Sequence, residues 1–307
     1  MISPRPWTRY VALGDSFTEG MSDPDPGTPD AYVGWADRLA LTLAELGADE
    51  GRDFAYANLA VRGRKLADIT TRQLATALDL EPDLVSIVGG GNDILRPRAD
   101  IEALADQLET AVAAVRATGA DVLLATPTDP REAPVLKHVR GRNATFTAHI
   151  WSIARRHGCA VIDLWGMASL RDWRLWSADR IHLTSEGHAR VAQAALGALG
   201  LDEPEGAWSV PPPDRPIVTR AQQRRSDREW AGTYLRPWVH RRLTGRSSGD
   251  GRDAKRPALG PLESGTTTRI AATSSTSAAT PTCPTSTPTP SAAPPPPDGS
   301  SPTDHHQ

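Results

Sequence analysis

A chain of 307 residues with 39% apolar and 23% charged side chains has room for one large domain or two small ones, and its formal net charge of −3 hides a strong asymmetry along its length. Its two cysteines exclude a disulfide framework, because Cys159 sits in an apolar run and Cys283 in a low-complexity stretch. The opening M-I-S-P-R-P-W-T-R-Y lacks the apolar core of a signal peptide and no run reaches membrane-spanning length, so a cytoplasmic protein is expected.

The asymmetry divides the chain. Residues 1–214 carry 21 Lys/Arg and 30 Asp/Glu, a net of −9, whereas residues 215–256 carry 12 against four, a net of +8. Residues 257–307 are Pro, Ser, Thr, Ala and Gly with almost no large apolar side chain, a composition that cannot offset chain entropy and reads as disordered. Four parts are expected: a lead-in at 1–9, a folded domain at 10–205, a basic tryptophan-containing extension at 206–256, and the tail at 257–307.

The first element is a buried strand, Tyr10 to Leu13, broken by Gly14 and followed at once by Asp15 and Ser16. After a Pro/Asp/Gly loop, Trp35, Leu39, Leu43 and Leu46 recur at helical spacing, predicting a helix over Gly34 to Leu46 that Gly47 ends. Phe54 to Leu59 reads as a second strand, Leu66 to Leu80 as a helix, and Leu84 to Val88 as a third strand running into Gly89-Gly90-Gly91-Asn92-Asp93. Ile101, Leu104, Leu108, Val112 and Val115 form one apolar face of a helix to Thr118. A strand at Val122 to Ala125, a polar loop to Val139, a helix over Gly141 to Arg156 and a strand at Ala160 to Leu164 follow. A loop with Trp165, Trp173 and Trp176 then leads to Asp179-Arg180-Ile181-His182 and a last helix over Ser185 to Leu199. Five alternations of strand and helix predict a three-layer α/β/α fold with a five-stranded parallel sheet. Neither G-x-G-x-x-G after the first strand nor a P-loop motif is present, so nucleotide binding has little support.

In such a sheet the loops after the first three strands and the last one emerge at one edge, and they hold Ser16, Gly63, Asn92 and His182. Alone, Gly-Asp-Ser is also ordinary turn chemistry. Together the four loops supply a hydroxyl, an imidazole to accept its proton, and donors for an oxyanion. Asp179, three residues before His182, is placed to orient the ring; the backbone N–H groups of Ser16 and Gly63 and the Asn92 amide are the candidate oxyanion donors. Asp163 is a competing partner for His182, Asn92 has capping of a helix as its lesser alternative, and the tryptophans suit either a pocket wall or core packing. His188 reads as a surface or packing residue, and no residues show metal-ligand spacing.

The blocks G-D-S (14–16), N-L-A-V-R-G (58–63), G-G-N-D (90–93) and D-R-I-H (179–182) resemble, in order, those of the SGNH subfamily of GDSL hydrolases. The resemblance covers about residues 9–200 and implies a flavodoxin-like fold and serine hydrolysis of carboxylic esters without metal or cofactor. It implies Ser16 as nucleophile, His182 as base oriented by Asp179, and Ser16, Gly63 and Asn92 around the oxyanion. A small-molecule, lipid or carbohydrate ester is the expected substrate, and nucleic acid is not expected. A lysophospholipase or thioesterase acting on longer chains is the alternative, with a non-catalytic binding protein of the same fold behind it. The basic extension resembles C-terminal extensions of actinobacterial members. Trp230, Leu235, Trp238 and Leu243 would dock it on the acidic body, unless it contacts an anionic surface instead.

Overall fold

The computed structural model describes residues 7–28, 31–133, 136–202, 206–213, 218–237 and 247–262. Strand β1 (Arg9–Gly14) is buried from Tyr10 onward, and its alternate residues feed two separate cores. Helix α1 (Ser16–Glu19) follows, then α2 (Trp35–Asp49) and β2 (Ala55–Asn58). The expected helix from Leu66 is observed as α3 (Leu66–Asp68) and α4 (Leu74–Asp79), with a π-helical turn at Ile69–Gln73 between them. Next come β3 (Leu84–Val88), α5 (Gly91–Ile94), α6 (Ile101–Ala117), β4 (Asp121–Ala125), α7 (Arg140–His157), β5 (Ala160–Ile162) and α8 (Ser185–Ala198).

Val11, Leu13, Val85, Ile87, Val122 and Leu124 point to one face, where α3, α4, α6 and α7 cover them. Tyr10, Ala12, Leu84, Leu123 and Ile162 point to the other, beneath α2 and α8. This strict alternation in strands buried on both sides is why the runs read as continuously apolar. Each buried Val, Leu or Ile contributes roughly 1.5–3 kcal/mol, so the two cores hold the layers together.

With a last strand β6 (Arg256–Gly260), the sheet order is β5-β4-β3-β1-β2-β6, and the first five strands are parallel, as expected. Chain direction across the sheet reverses between β1 and β3. That crevice is where open α/β sheets bind ligands. The π-helical turn has a local use there: the Gln73 carboxamide accepts from Gly14 N–H at 2.8 Å and donates to Gly14 C=O at 2.9 Å, pinning the end of β1.

A sixth strand corrects the sequence reading. After α9 (Arg220–Trp230), β6 (Arg256–Gly260) pairs antiparallel with β2, matching Tyr56 to Gly260 and Asn58 to Arg256. The folded unit thus extends past residue 256, into sequence assigned above to the tail. Lys255 explains the anchoring: its ammonium donates to the carbonyls of Glu19 (2.7 Å), Tyr32 (2.9 Å) and Val33 (2.6 Å) and pairs with the buried Asp37 carboxylate. Trp238, Leu243, Cys283 and the chain beyond 262 lie outside the described residues. No helix among the described residues is long and apolar enough to cross a membrane. A chain ending at residue 254 should melt at least about 5 °C below one ending at 262, since it loses both β6 and the Lys255 cluster; equal melting temperatures would show β6 to be dispensable.

Candidate active site

Ser16 opens α1, and the carboxylate of Asp15 caps that helix by accepting the Phe17 N–H at 3.1 Å. The Asp15 side chain also receives the Asn92 amide at 3.0 Å, while the same nitrogen of Asn92 donates to the Arg64 carbonyl at 3.1 Å. Asn92 is therefore held in the second position of α5 and does not cap it; Gly90 is the cap residue. Asp93 is used elsewhere, accepting the Leu66 N–H at the start of α3. Burial pushes the Asp15 carboxyl up to about 6, against the stabilising contributions of the Phe17 N–H, His182 and Asn92.

Gly63 lies in a turn with φ of +76°, a conformation that L side chains rarely adopt. Its neighbour Arg62 fixes the turn. Arg62 donates its backbone N–H to Glu19 at 2.6 Å and grips the same carboxylate with its guanidinium, and both residues are buried. Asn58 adds a second tie between α1 and this loop, donating to the Thr18 carbonyl at 3.0 Å and accepting the Ala60 N–H at 3.1 Å.

His182 places Nδ1 2.6 Å from Asp179 Oδ2. Asp179 Oδ1 accepts three further donors: the N–H groups of Ile181 (2.9 Å) and His182 (3.0 Å) and the Ser177 hydroxyl (2.6 Å). Burial alone would raise the Asp179 carboxyl, but these hydrogen bonds and the facing imidazole hold it well below the usual aspartate range. Asp163, the rival partner, is occupied with the Gly166 N–H at 3.1 Å and the Thr126 hydroxyl at 3.4 Å. His188 is buried with Nε2 3.2 Å from the Met21 carbonyl, a packing position, and burial lowers it to about 4.

One cleft of about 740 Å³ gathers Ser16, Gly63, Asn92, Asp179 and His182 along its lining. The three tryptophans are absent from that lining: Trp165 stacks with Arg140, and Trp173 and Trp176 pack against each other beside Arg180. Unforeseen were Tyr234, Ser247, Ser248 and Asp250, which the extension contributes to the cleft. Also unforeseen was Arg180, a non-glycine residue at φ of +55° in the middle of the Asp179–His182 turn. The expectation that Trp230, Leu235, Trp238 and Leu243 dock the extension on the body carried no register that could place these residues in the cleft.

The GDSL-like lipase/acylhydrolase family model matches residues 12–190, more than half the chain. The protein belongs to that family. It is accordingly a hydrolase with the SGNH fold. Among solved structures, this GDSL hydrolase is similar to LAE5, an alpha/beta hydrolase enzyme from the metagenome of Lake Arreo, Spain, at 24% identity and a TM-score of 0.53, covering 63% of this chain and 95% of that one. It is also similar to Axe2, an acetylxylan esterase from Geobacillus stearothermophilus, at 19% identity and a TM-score of 0.51, covering 63% and 94%. At these identities the likeness concerns the fold. No curated protein matches the chain.

Two outcomes test the electrostatics of this hydrolase. Glu19→Ala should cost about 3–5 kcal/mol in denaturant unfolding, because it leaves the buried Arg62 guanidinium unpaired; a loss under about 1 kcal/mol would mean water already screens the pair. Asp179 has its carboxyl lowered in the folded chain, so its stabilisation is present above the ordinary aspartate value of about 4 and is lost as pH falls below it. The melting-temperature gap between wild type and Asp179→Asn should therefore be widest near neutrality and shrink in acid. A gap independent of pH would contradict the assignment.

Proposed function

We propose that this protein is a serine carboxylesterase working through an acyl-enzyme on Ser16, with His182 as general base, Asp179 orienting it, and the Ser16 and Gly63 N–H groups and the Asn92 amide around the oxyanion. The supporting observation is the single cleft that Ser16, Gly63, Asn92 and the hydrogen-bonded Asp179–His182 couple share. With Nδ1–H committed to Asp179, Nε2 is the nitrogen left to take the serine proton.

The cycle uses groups of the chain and water. Ser16 Oγ attacks the ester carbonyl as its proton passes to His182 Nε2, and the negative charge gathers on the carbonyl oxygen. The C–O bond to the alcohol then breaks, and the alcohol leaves with the proton from Nε2. Water repeats the sequence on the acyl-serine, releasing the acid and restoring the hydroxyl. Asn92 directs its amide protons at Asp15 and Arg64 C=O, so engaging an oxyanion means sharing or exchanging one of these bonds.

Hydrolysis of p-nitrophenyl esters from acetate to palmitate by wild type and Ser16→Ala tests this reading. Wild type should turn over and the variant should lose at least about 10³-fold, with the rate falling on acidification as the imidazole protonates. The chain-length optimum separates a short-acyl esterase from a lipid-directed one. Equal rates for both proteins would remove Ser16 as nucleophile, and an inert wild type that also resists fluorophosphonate labelling would favour the binding-protein alternative.

A further inference from the structure

The family match ends at residue 190, yet residues beyond it build one wall of the cleft and touch both polar halves of the site. The first contact is made by α9. Trp230 donates its indole N–H to the backbone carbonyl of Asp179 at 2.8 Å. The next residue, Arg180, reaches Asp227 at 2.6 Å and the Ser226 hydroxyl at 2.7 Å. Its guanidinium lies between the rings of Trp230 (5.4 Å) and Trp173 (5.6 Å). These contacts fall on Arg180 and on the carbonyl just before it; Arg180 is the one residue of the turn with a positive φ, a conformation costing on the order of 1–3 kcal/mol for a non-glycine residue. The helix holds in place a turn whose backbone disfavours that shape. It is itself capped by reciprocal bonds between Thr219 and Gln222.

The second contact is made by the strap that leads into β6. An ideal Cβ on Gly249 would lie 2.0 Å from the Arg62 carbonyl oxygen and 3.1 Å from its carbon. The C=O therefore aims almost straight at Gly249. A trans peptide is planar with its N–H opposed to its C=O. The N–H on that same peptide group is Gly63's, so the strap contact fixes the direction in which the candidate oxyanion donor points. Ser247 closes the other side: its hydroxyl would sit 2.0 Å from a Cβ on Gly63. The strap has its own rigidity, since Asp250 accepts the Ser247 N–H at 2.8 Å and the Ser247 hydroxyl accepts the Gly249 N–H at 3.2 Å. Downstream, Lys255 bonds the carbonyl of Glu19, the residue whose side chain grips Arg62.

We infer that the C-terminal extension is a clamp for the active site, in which Trp230 positions the Asp179–His182 couple and Gly249 positions the Arg62–Gly63 peptide. The inference rests on the esterase reading above. Both are positioning residues, acting through groups that would meet the substrate.

The test uses the full chain as wild type, Trp230→Phe, which keeps a ring and removes the N–H, and Gly249→Ala. Each is assayed with p-nitrophenyl acetate, by thermal unfolding, and by proton NMR of the far-downfield His182 Nδ1–H. Each variant should lose on the order of 10-fold or more in kcat with KM within about twofold of wild type, the expected result of misplacing catalytic groups by a fraction of an ångström. Trp230→Phe should also move the acid limb of the pH–rate profile and the Nδ1–H resonance. Gly249→Ala should leave both in place, because its effect falls on the oxyanion side. If Gly249→Ala does not fold, Ser247→Ala addresses the same peptide and should lower kcat likewise. Variants that melt lower but keep the wild-type kcat, pH profile and resonance would overturn the clamp and leave the extension as packing alone. If wild type hydrolyses no ester and resists fluorophosphonate labelling, the esterase reading has failed, and in any inert wild type the resonance decides on its own: moved in Trp230→Phe it supports the clamp, unmoved it overturns it.

Discussion

The pairing of Glu19 with Arg62 is the constraint around which the site is arranged. Two opposite charges, their side chains 9% and 11% exposed, are removed from water between α1 and the turn after β2. Desolvating such a pair is expensive and rarely a net gain over apolar packing. What it supplies is register. Arg62 presents its backbone N–H and its guanidinium to one carboxylate, so the loop can sit on α1 in few ways. Because α1 begins with Ser16, that register relates the serine to the turn containing Gly63. Asn58 repeats the linkage one step earlier in the chain, through Thr18.

A second polar chain runs across the crevice between β1 and β3. Asp15 caps the serine helix and takes the Asn92 amide, and Asp93, next to Asn92, caps α3. Two short elements that carry site residues, α1 and α5, are thus bonded by side chains to each other and to the start of α3. Their shortness makes this necessary, since helices of three or four residues have no independent stability. The low dielectric that raises Asp15 also strengthens each of these bonds.

The parts of the fold legible in the sequence were those where pattern and burial coincide. The β1 run Tyr10–Leu13 and the apolar face from Ile101 to Val115 were placed within a residue or two, because sheet and helix faces write their periods directly into the chain. The four loop blocks were legible because their chemistry is unusual in combination. Strand β6 was not. Arg256-Pro257-Ala258-Leu259-Gly260 contains a proline and a glycine, buries little, and is held by one lysine and by hydrogen bonds to β2, none of which leaves a periodic trace. The docking of the extension was expected from Trp230 and from the opposite net charges, but its mode was not, since Trp230 makes its contact through one indole N–H and the ion pair beside it runs from a body arginine to an extension aspartate. That polarity is opposite to the one suggested by the net charges of the two segments; Lys255 with Asp37 has the expected sign.

Strand β6 also changes how the protein meets its neighbours at high concentration. Without it, β2 would present a row of free N–H and C=O groups at the margin of the sheet, an invitation for another chain to add itself as a strand. With it, the outermost strand is short, runs against the others, starts with an arginine and follows it with a proline that has no N–H to offer. At the far margin β5 is only three residues long. The stretch that lines the cleft therefore also ends the sheet among the described residues, and leaves another chain little edge on which to add a strand.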